Sequence, residues 1–314
     1  MKAPAFDYTK PHTLDEVFGL LATHGDGARL LAGGQTLLAT LNMRLSEPSM
    51  LIDLSGIEAL KGISVEGAGG DSGAVHVLRI GALVTHSEIE ASALVAQHAP
   101  LLAMAAPHIA HRAIRNLGTW GGSIAYADPA AEWPACLAAL EGVVVVRGAN
   151  GERRIAAQDF FLDLYTTALA AGEVVTACEL PLRQPGDVFV FDELARRHGD
   201  YAIVGLALAA RRGGGGGGGG GGGYGLQRVR LAFLGVGATP LRTPRTEAAL
   251  EGRALTVPVL DAALVTLAAE LNPMPDLTTS SASKRHLACV LTRRALTTAL
   301  STGTTEASLP RTHP

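Results

Sequence analysis

The sequence AGGQTLL at residues 32–38 places a pair of glycines directly after the short apolar segment ARLLA of residues 28–32. A second pair lies in LGTWGGSIAYADPAAEW at residues 117–133, beside threonine and serine. A glycine pair after a buried strand can direct consecutive backbone N–H groups toward one point, where a diphosphate can approach closely. Neither stretch matches GxGxxG or GxxxxGK[ST], so a plain tight turn stays open as the alternative to an anion site.

The residues around the first glycine pair predict a small α/β unit. Thr13 to Glu16 matches a capping box, and apolar residues follow it at helical spacing as far as the glycines at positions 25 and 27. ARLLA is a predicted buried strand, residues 36–43 are a predicted helix, and MLIDL at residues 50–54 is a second strand. Alternating helix and strand is typical of α/β units.

The pattern then changes, and an α+β domain is predicted to end near Pro181. Strands are predicted at residues 75–82 and 173–181, and a hairpin at 143–157 turns at Asn150-Gly151. A second capping box begins at Thr85. Helical composition covers the segments 93–106 and 133–140.

The rest of the chain predicts a three-stranded antiparallel sheet followed by helices. The strands are VFVFDELARR, YAIVGLALAARR and QRVRLAFLGVG, and helical composition begins near Thr246. Eleven glycines from Gly213 to Gly223 separate the second strand from the third. Their backbone entropy opposes a fixed shape, so we interpret the run as a loop on the surface. The small polar tail after Thr302 is predicted to fray.

The bulk composition of the 314 residues indicates a globular protein and argues against several partners. The net charge of −3 provides no basic stripe for nucleic acid, and no apolar run reaches the length of a membrane span. The N-terminus lacks an apolar signal core. The expected location is the cytoplasm, since three thiols without a framework pattern fit a reducing compartment.

The cysteines and one histidine pair are the candidate metal ligands in the sequence. Cys136, Cys178 and Cys289 are far apart and form no Cys-x-x-Cys pair, so each is predicted to be a buried apolar side chain. His108 and His111 are three residues apart, but a closed ligand set is missing, and a structural or exposed pair is the favoured interpretation. We therefore predict no metal site, and the sequence offers no convincing catalytic acid/base pair.

Six segments together resemble a known family. They are AGGQTLL, MLIDLSGI at residues 50–57, IGALVTHSEIE at 80–90, AIRNLGTWGGSIAYADPAAEWPA at 113–135, ARRHGDYAIV at 195–204 and KRHLACVLTRRAL at 284–296. In this order they resemble the FAD-binding medium subunit of the molybdenum hydroxylases, the group of carbon monoxide dehydrogenase and xanthine dehydrogenase. The resemblance covers nearly the whole chain, and the motifs are specific only in combination.

The resemblance implies an α+β fold with two domains and a tail. An FAD-binding domain at residues 1–181 would have the two-subdomain fold of the vanillyl-alcohol-oxidase type, with subdomains of about 1–57 and 58–181. A C-terminal flavoprotein domain at 182–302 would consist of a three-stranded antiparallel sheet and a helical bundle. Residues 303–314 would form the tail.

The resemblance also implies which residues bind FAD. The first loop is matched by Ala32, Gly33, Gly34, Gln35, Thr36 and Leu37, and the second by Thr119, Gly121, Gly122 and Ser123. Trp120 replaces the usual isoleucine of the second loop, and Ser123 replaces the usual Asn or Asp. Asp128 matches an acidic position near the cofactor, with an Asp-Pro turn as its alternative. Tyr201 matches an aromatic residue that lies against the flavin ring. Glu132 stands where many relatives have Asp, and we treat it as a secondary candidate for the site.

The function implied by the resemblance is electron transfer within a larger enzyme. A large subunit would carry the molybdenum cofactor and a small subunit the [2Fe-2S] clusters, and the expected assembly is a dimer of heterotrimers. Electrons would pass from those clusters through FAD to an external acceptor. Two alternatives stay open: a self-contained FAD-dependent oxidase of small molecules, and a non-enzymatic nucleotide-binding or scaffold subunit.

Overall fold

The computed structural model describes residues 2–68, 75–213 and 225–301. The predicted surface loop of glycines lies, from residue 214 onward, outside these residues, and so does the predicted tail of residues 303–314. None of the helices in the described ranges is long and apolar enough to cross a membrane.

The first part of the chain is an α/β unit, as the sequence predicted. Its elements are β1 (Asp7–Thr9), α1 (Leu14–His24), β2 (Ala28–Leu31), α2 (Leu37–Asn42) and β3 (Met50–Asp53). The strands form a parallel sheet in the order β1-β3-β2. The capping box is confirmed, since the Thr13 side chain accepts from the Glu16 N–H and the Glu16 side chain accepts from the Thr13 N–H. Strand β1 was not predicted because its three residues are half-buried or exposed and show no apolar alternation.

An antiparallel sheet and a layer of helices follow. The strands are β4 (Ile63–Ala68), β5 (Val75–Gly81), β6 (Val143–Gly148), β7 (Gly151–Ala156), β8 (Phe161–Asp163), β9 (Thr166–Thr167) and β10 (Val174–Pro181). The helices are α3 (His86–Ala91), α4 (Ala93–His98), α5 (Pro100–Ala105), α6 (Arg112–Arg115), α7 (Trp120–Tyr126), α8 (Glu132–Ala139) and α9 (Ala157–Phe160). The main sheet has the order β4-β5-β10-β6-β7, while β8 and β9 pair separately. The predicted helical segment 93–106 is two helices, because Pro100 begins a new one.

The last part is a second antiparallel sheet covered by helices. Its elements are β11 (Asp187–Leu194), β12 (Val204–Arg212), β13 (Leu226–Leu234), β14 (Leu241–Arg242), α10 (Pro244–Leu250), α11 (Val257–Glu270) and α12 (Ser281–Ser301). The sheet has four strands in the order β11-β12-β13-β14, so the prediction of three was wrong. The fourth strand has only two residues and lies between Pro240 and Pro244, which leaves no periodic signal in the sequence.

Helix α8 joins the two sheets. All of its residues are buried, and they pack against β12 and β13 on one side and against α5 and α7 on the other. Ala207 and Leu234 of the second sheet therefore belong to the same apolar core as Trp133 of α8. The opposite face of the second sheet packs on α11 and α12. Cys136 and Cys178 are buried, as predicted, whereas Cys289 is only half-buried.

A backbone contact joins the α/β unit to the segment before α7. A Cβ added at Gly33 would lie 2.7 Å from the carbonyl carbon of Leu117 and 2.8 Å from the Cα of Gly118. Both neighbours are backbone, so they cannot rotate away. Gly33 is therefore required by the approach of two chain segments.

We expect Gly33→Ala to lower the free energy of unfolding by about 3 kcal/mol, because the methyl group overpacks a backbone contact. Gly19→Ala is the matched control, since Gly19 lies within α1 and nothing is within 4 Å of its added Cβ. That change is expected to stabilise the protein by about 1 kcal/mol through helix propensity. Urea unfolding, monitored by circular dichroism, measures the free energy of unfolding of both variants. Equal stability of the two variants would contradict the packing argument.

Candidate functional site

One cavity of about 1530 Å³ lies where the α/β unit, the helical layer and the second sheet meet. Its wall includes Arg29 of β2, Ala82 after β5 and Gly235 after β13. All twelve residues predicted from the sequence to bind the cofactor line this cavity. They are Ala32, Gly33, Gly34, Gln35, Thr36, Leu37, Thr119, Gly121, Gly122, Ser123, Asp128 and Tyr201.

The first glycine pair is a turn with free backbone donors. Gly34 has a φ of 71°, a conformation that favours glycine. The turn leads into α2, whose first hydrogen bonds run from the Leu38 N–H to the Gly34 carbonyl and from the Thr40 N–H to the Thr36 carbonyl. The backbone N–H groups of residues 33–37 have no acceptor among the described residues. Consecutive free donors on a cavity wall form a cradle for an anion.

The second glycine pair is not a turn, which corrects the sequence interpretation. Thr119 is the N-cap of α7, and its hydroxyl accepts the Gly122 N–H at 3.2 Å, so the glycines form the first helical turn. The Gly121 N–H donates to the Ala82 carbonyl at 2.8 Å. A Cβ on Gly121 would lie 2.7 Å from the Ala82 Cα, so this glycine allows α7 to pack against the chain after β5. The backbone donors of this segment are used within the protein.

Side-chain hydroxyls remain available on the α7 side of the cavity. Ser123 directly follows Gly122 in α7 and lines the cavity. Its hydroxyl makes no hydrogen bond within the described part of the chain. Thr36 faces the same cavity from the first loop, and its hydroxyl likewise makes no hydrogen bond there. The two segments therefore present backbone donors on one side and hydroxyl groups on both.

An acidic and aromatic group surrounds Asp128. The Ala130 N–H donates to Asp128 Oδ1 at 2.8 Å, which forms the Asp-Pro turn given above as the alternative role of Asp128. Asp128 also lines the cavity. Burial raises the pKa of Asp128, opposed by this hydrogen bond and by one with Tyr165. The Tyr126 and Tyr165 rings lie 5.1 Å apart. Tyr201, with 67% of its surface exposed, presents a third aromatic ring to the cavity.

His86 lines the cavity and was not predicted from the sequence. Its Nδ1 accepts the indole N–H of Trp133 at 2.9 Å, which places the imidazole proton on Nε2. Burial, with a smaller contribution from the Arg115 charge, lowers the pKa of His86 to about 4. The imidazole is therefore neutral at pH 7. Only its position after the Thr85 cap in the motif IGALVTHSEIE could have singled it out.

Glu132 lies in the cavity wall, although the sequence interpretation left it secondary. It is the first residue of α8 and is 9% exposed. Burial, and after it the charge of Glu193, raises the pKa of Glu132 to about 8. A carboxyl group on this wall therefore retains its proton at neutral pH. Its place in the family motif, usually Asp, was the signal available in the sequence.

Lys284 of α12 ties the second sheet to the cavity. Its Nζ donates to the Gly235 carbonyl at 3.1 Å and lies 2.9 Å from Asp276 Oδ2, which holds the pKa of Asp276 far below its usual range. The Gly235 N–H in turn donates to the Pro129 carbonyl at 2.8 Å. These contacts fix the turn after β13 against the Asp128 loop.

The described wall suits an elongated ligand that has an anionic middle and a flat ring. The free donors of residues 33–37 match the oxygen atoms of a diphosphate. The exposed Tyr201 ring can stack on a planar group. The cavity volume exceeds that of an ordinary small-molecule pocket. The residues present therefore fit a flavin dinucleotide.

Two family models match the chain in sequence. One, the FAD binding domain in molybdopterin dehydrogenase, covers residues 4–183. The chain belongs to this family. The other, the CO dehydrogenase flavoprotein C-terminal domain, covers residues 189–299. The resemblance seen in the sequence is thus confirmed, and the chain is a subunit of an oxidoreductase with an FAD-binding domain.

Individual relatives match over almost the whole length. The nicotine 6-hydroxylase medium subunit of Paenarthrobacter nicotinovorans is 36% identical and aligns over 94% of this chain and 98% of its own. The structure of carbon monoxide dehydrogenase from Hydrogenophaga pseudoflava contains a chain with a TM-score of 0.87 and 35% identity, covering 95% of this chain and 98% of that one. The structure of quinoline 2-oxidoreductase from Pseudomonas putida 86 contains a chain with a TM-score of 0.85 and 35% identity. The match covers 96% of this chain and 99% of that one.

His86 predicts a dependence of stability on pH. Its folded pKa of about 4 lies below the ordinary value of 6.5, so the unfolded chain binds one proton more than the folded chain between these values. Stability contributed by the neutral imidazole is full above pH 6.5 and is lost as the pH falls toward 4. The loss is about 3 kcal/mol.

The variant His86→Gln retains an acceptor for Trp133 but does not titrate. Urea unfolding of both proteins from pH 7 to pH 4 should show a loss of stability that is about 3 kcal/mol smaller in the variant than in the wild type. Parallel curves for the two proteins would show that His86 is not responsible.

Proposed function

We propose that the cavity binds FAD with its diphosphate against the backbone N–H groups of Gly33, Gly34, Gln35, Thr36 and Leu37. The free donors of this turn are the observation that carries the proposal. The Thr36 hydroxyl on one side, and Thr119 and Ser123 on the other, would contact the same part of the ligand. Ala32, Gly121 and Gly122 would form part of the wall beside it.

Asp128 and Tyr201 would hold the remaining parts of the cofactor. Tyr201 would lie against the flavin ring, because its aromatic surface is exposed at the cavity. Asp128 would accept a hydrogen bond from a cofactor hydroxyl through the oxygen that is not used in its turn. We further propose that the fold around this site is of the vanillyl-alcohol-oxidase type, with an FAD-binding domain at 1–181 and a C-terminal domain at 182–302.

We infer that the chain is the electron-transfer subunit of a molybdenum-dependent hydroxylase. FAD supplies the chemistry when bound, accepting electrons from the iron–sulfur clusters of a small subunit and passing them to an external acceptor. A large subunit would carry the molybdenum cofactor. The name medium subunit for a relative 36% identical supports such an assembly. A dimer of heterotrimers and a cytoplasmic location remain predictions.

The residues of this chain bind, orient and shield the cofactor in this proposal. The neutral His86 and the wall around Trp133 would exclude water from one side of the cavity. The protonated Glu132 would place a neutral group there rather than a second negative charge beside Asp128. No nucleophile is required. Substrate selection would belong to the large subunit.

The proposal is tested by anaerobic flavin absorbance. The isolated chain should carry FAD and stay oxidised with N-heterocycles, aldehydes or alcohols, whereas dithionite should bleach it directly. Addition of the large and small subunits should restore bleaching by the substrate of the complex. Bleaching of the isolated chain by one of these substrates would instead favour the self-contained oxidase, for which Glu132 offers a carboxyl of raised pKa. Absence of flavin would favour a scaffold subunit.

Gly34→Val is expected to abolish FAD binding in a folded protein. The branched side chain occupies a left-handed backbone position at the cavity wall and distorts the donors of residues 33–37. Gly62→Val is the control, because Gly62 also has a positive φ of 91° but lies away from the cavity. Both changes cost about 1–2 kcal/mol of backbone strain. The flavin-to-protein absorbance ratio should be near zero in the first variant and unchanged in the second, and equal ratios would reject the cradle.

A further inference from the structure

His86, the first residue of α3, carries a hydrogen-bond donor without an acceptor in the described chain. The indole N–H of Trp133 donates to Nδ1 at 2.9 Å, so the imidazole proton resides on Nε2. Within residues 2–68, 75–213 and 225–301, Nε2 itself makes no hydrogen bond. His86 is only 7% exposed. A donor in such a position calls for an acceptor, because an unpaired polar group away from water costs free energy.

The unpaired nitrogen is open to the cavity. In the described part of the chain, the polar side-chain atoms that are sealed without a partner are Trp120 Nε1, Glu193 Oε2 and Thr243 Oγ1. His86 Nε2 makes no hydrogen bond and is not one of these atoms, so part of its surface is accessible. Both His86 and the adjacent Gly118 line the cavity. A ligand in the cavity can therefore reach Nε2.

Gly118 connects His86 to the turn of free backbone donors. A Cβ added at Gly118 would lie 2.6 Å from Nε2 and 2.8 Å from Cδ2 of His86, so this glycine makes room for the ring. The His86 N–H also donates to the Gly118 carbonyl at 3.0 Å. On the side of the α/β unit, a Cβ on Gly33 would lie 2.8 Å from the Gly118 Cα. Nε2 is thus one residue away from the start of the turn at residues 33–37.

The imidazole is held in one place by the core. Trp133 is fully buried, and its ring centroid lies 5.9 Å from that of His86 and 5.2 Å from that of Trp120. The indole cannot turn away without leaving its own N–H unpaired, which disfavours any other rotamer or tautomer of His86. The donor is therefore preorganised, and a ligand that accepts from it does not have to order the side chain.

The charges near His86 keep it neutral. Burial first, and the charge of Arg115 second, lower the pKa of His86 to about 4. Arg115 does not compete for the same ligand, since its guanidinium donates to Glu90 at 3.1 Å and to the carbonyls of Ile109 and Ala110 at 3.1 and 3.0 Å. The imidazole can therefore bind an anion as a hydrogen-bond donor and not as a counter-ion.

We propose that His86 donates from Nε2 to an oxygen of the FAD diphosphate, and that Trp133 is the positioning residue that keeps the proton on Nε2. This inference rests on the proposed binding of FAD with its diphosphate against residues 33–37. A neutral N–H beside an anionic oxygen forms a charge-assisted hydrogen bond. The diphosphate would then be held from a third element, α3, in addition to the two glycine segments.

Nitrogen NMR of the full chain with isotopically labelled histidine tests the tautomer and the contact. Without ligand, one of the ten histidines should show a pyridine-type Nδ1 and a pyrrole-type Nε2, and this pair of signals should be missing in His86→Gln. FAD and ADP should both shift the Nε2 signal, because both contain a diphosphate. Riboflavin, which has no phosphate, should leave it in place. A shift with riboflavin and none with ADP would overturn the assignment to the diphosphate.

The affinity for FAD, measured by flavin fluorescence, tests the contribution of the donor. His86→Leu should weaken binding by about tenfold or more, because a hydrogen bond to a charged group is lost. That change leaves the Trp133 N–H unpaired, so the double variant with Trp133→Phe removes both partners and should show a similar loss. His86→Gln should recover part of the affinity, since an amide can accept from Trp133 and donate to the cofactor. His286→Leu is the control, because His286 is exposed on α12 outside the cavity wall.

Trp133→Phe alone tests the positioning role. Without ligand, Nδ1 has then lost its donor, so His86 should populate both tautomers and its two nitrogen signals should move toward each other. An unchanged single tautomer would overturn the role of Trp133. Melting curves establish that each variant is folded.

The outcomes separate this inference from the proposed function. If the wild type binds FAD and both His86→Leu and the double variant bind it equally well, the role of His86 is overturned and the proposed function stands. If the wild-type chain has no affinity for FAD, the proposed function is overturned and this inference with it.

Discussion

The contact between the backbone of Gly33 and the backbone of Leu117 and Gly118 determines where the cavity lies. It brings the end of β2 against the residues that cap α7, although they are more than eighty positions apart in sequence. The close approach leaves the N–H groups after Gly33 without an acceptor in the described chain, while those at the start of α7 bond to Val84 and Ala82. The start of α7 is therefore a rigid support, and residues 33–37 present backbone donors without acceptors in the described chain.

The cavity wall combines groups of different electrostatic character. The free backbone donors of residues 33–37 and the Thr36 hydroxyl favour negative charge in a ligand beside them. Asp128 and Glu132 line the same cavity, and a smaller pocket brings Asp128 and three tyrosines together with Gln35 and Thr36. Burial raises the pKa of both carboxyls, and that of Glu132 reaches about 8.

Much of this arrangement could be predicted from the sequence, because ordered motifs carry information that single motifs lack. The two glycine segments, Asp128 and Tyr201 were all identified, and the structure brings them to one cavity. The role of Gly121 was not predictable, since it depends on the distant Ala82. His86 and Glu132 were missed or left secondary because burial gives them their properties, and burial is set by α8 and the second sheet. Strand β14 was missed because its two residues are too few to show an alternation of apolar and polar side chains.

The bridge from Lys284 through Gly235 to Pro129 has a thermodynamic consequence. It makes one wall of the cavity depend on the position of the C-terminal sheet relative to the helical layer. A ligand that needs this wall binds only the docked arrangement, so its binding energy adds to the stability of docking by mass action. Ligand occupancy of the cavity and docking of the C-terminal sheet are then thermodynamically linked, so each favours the other. Weakening the bridge would therefore lower ligand affinity by favouring the undocked arrangement.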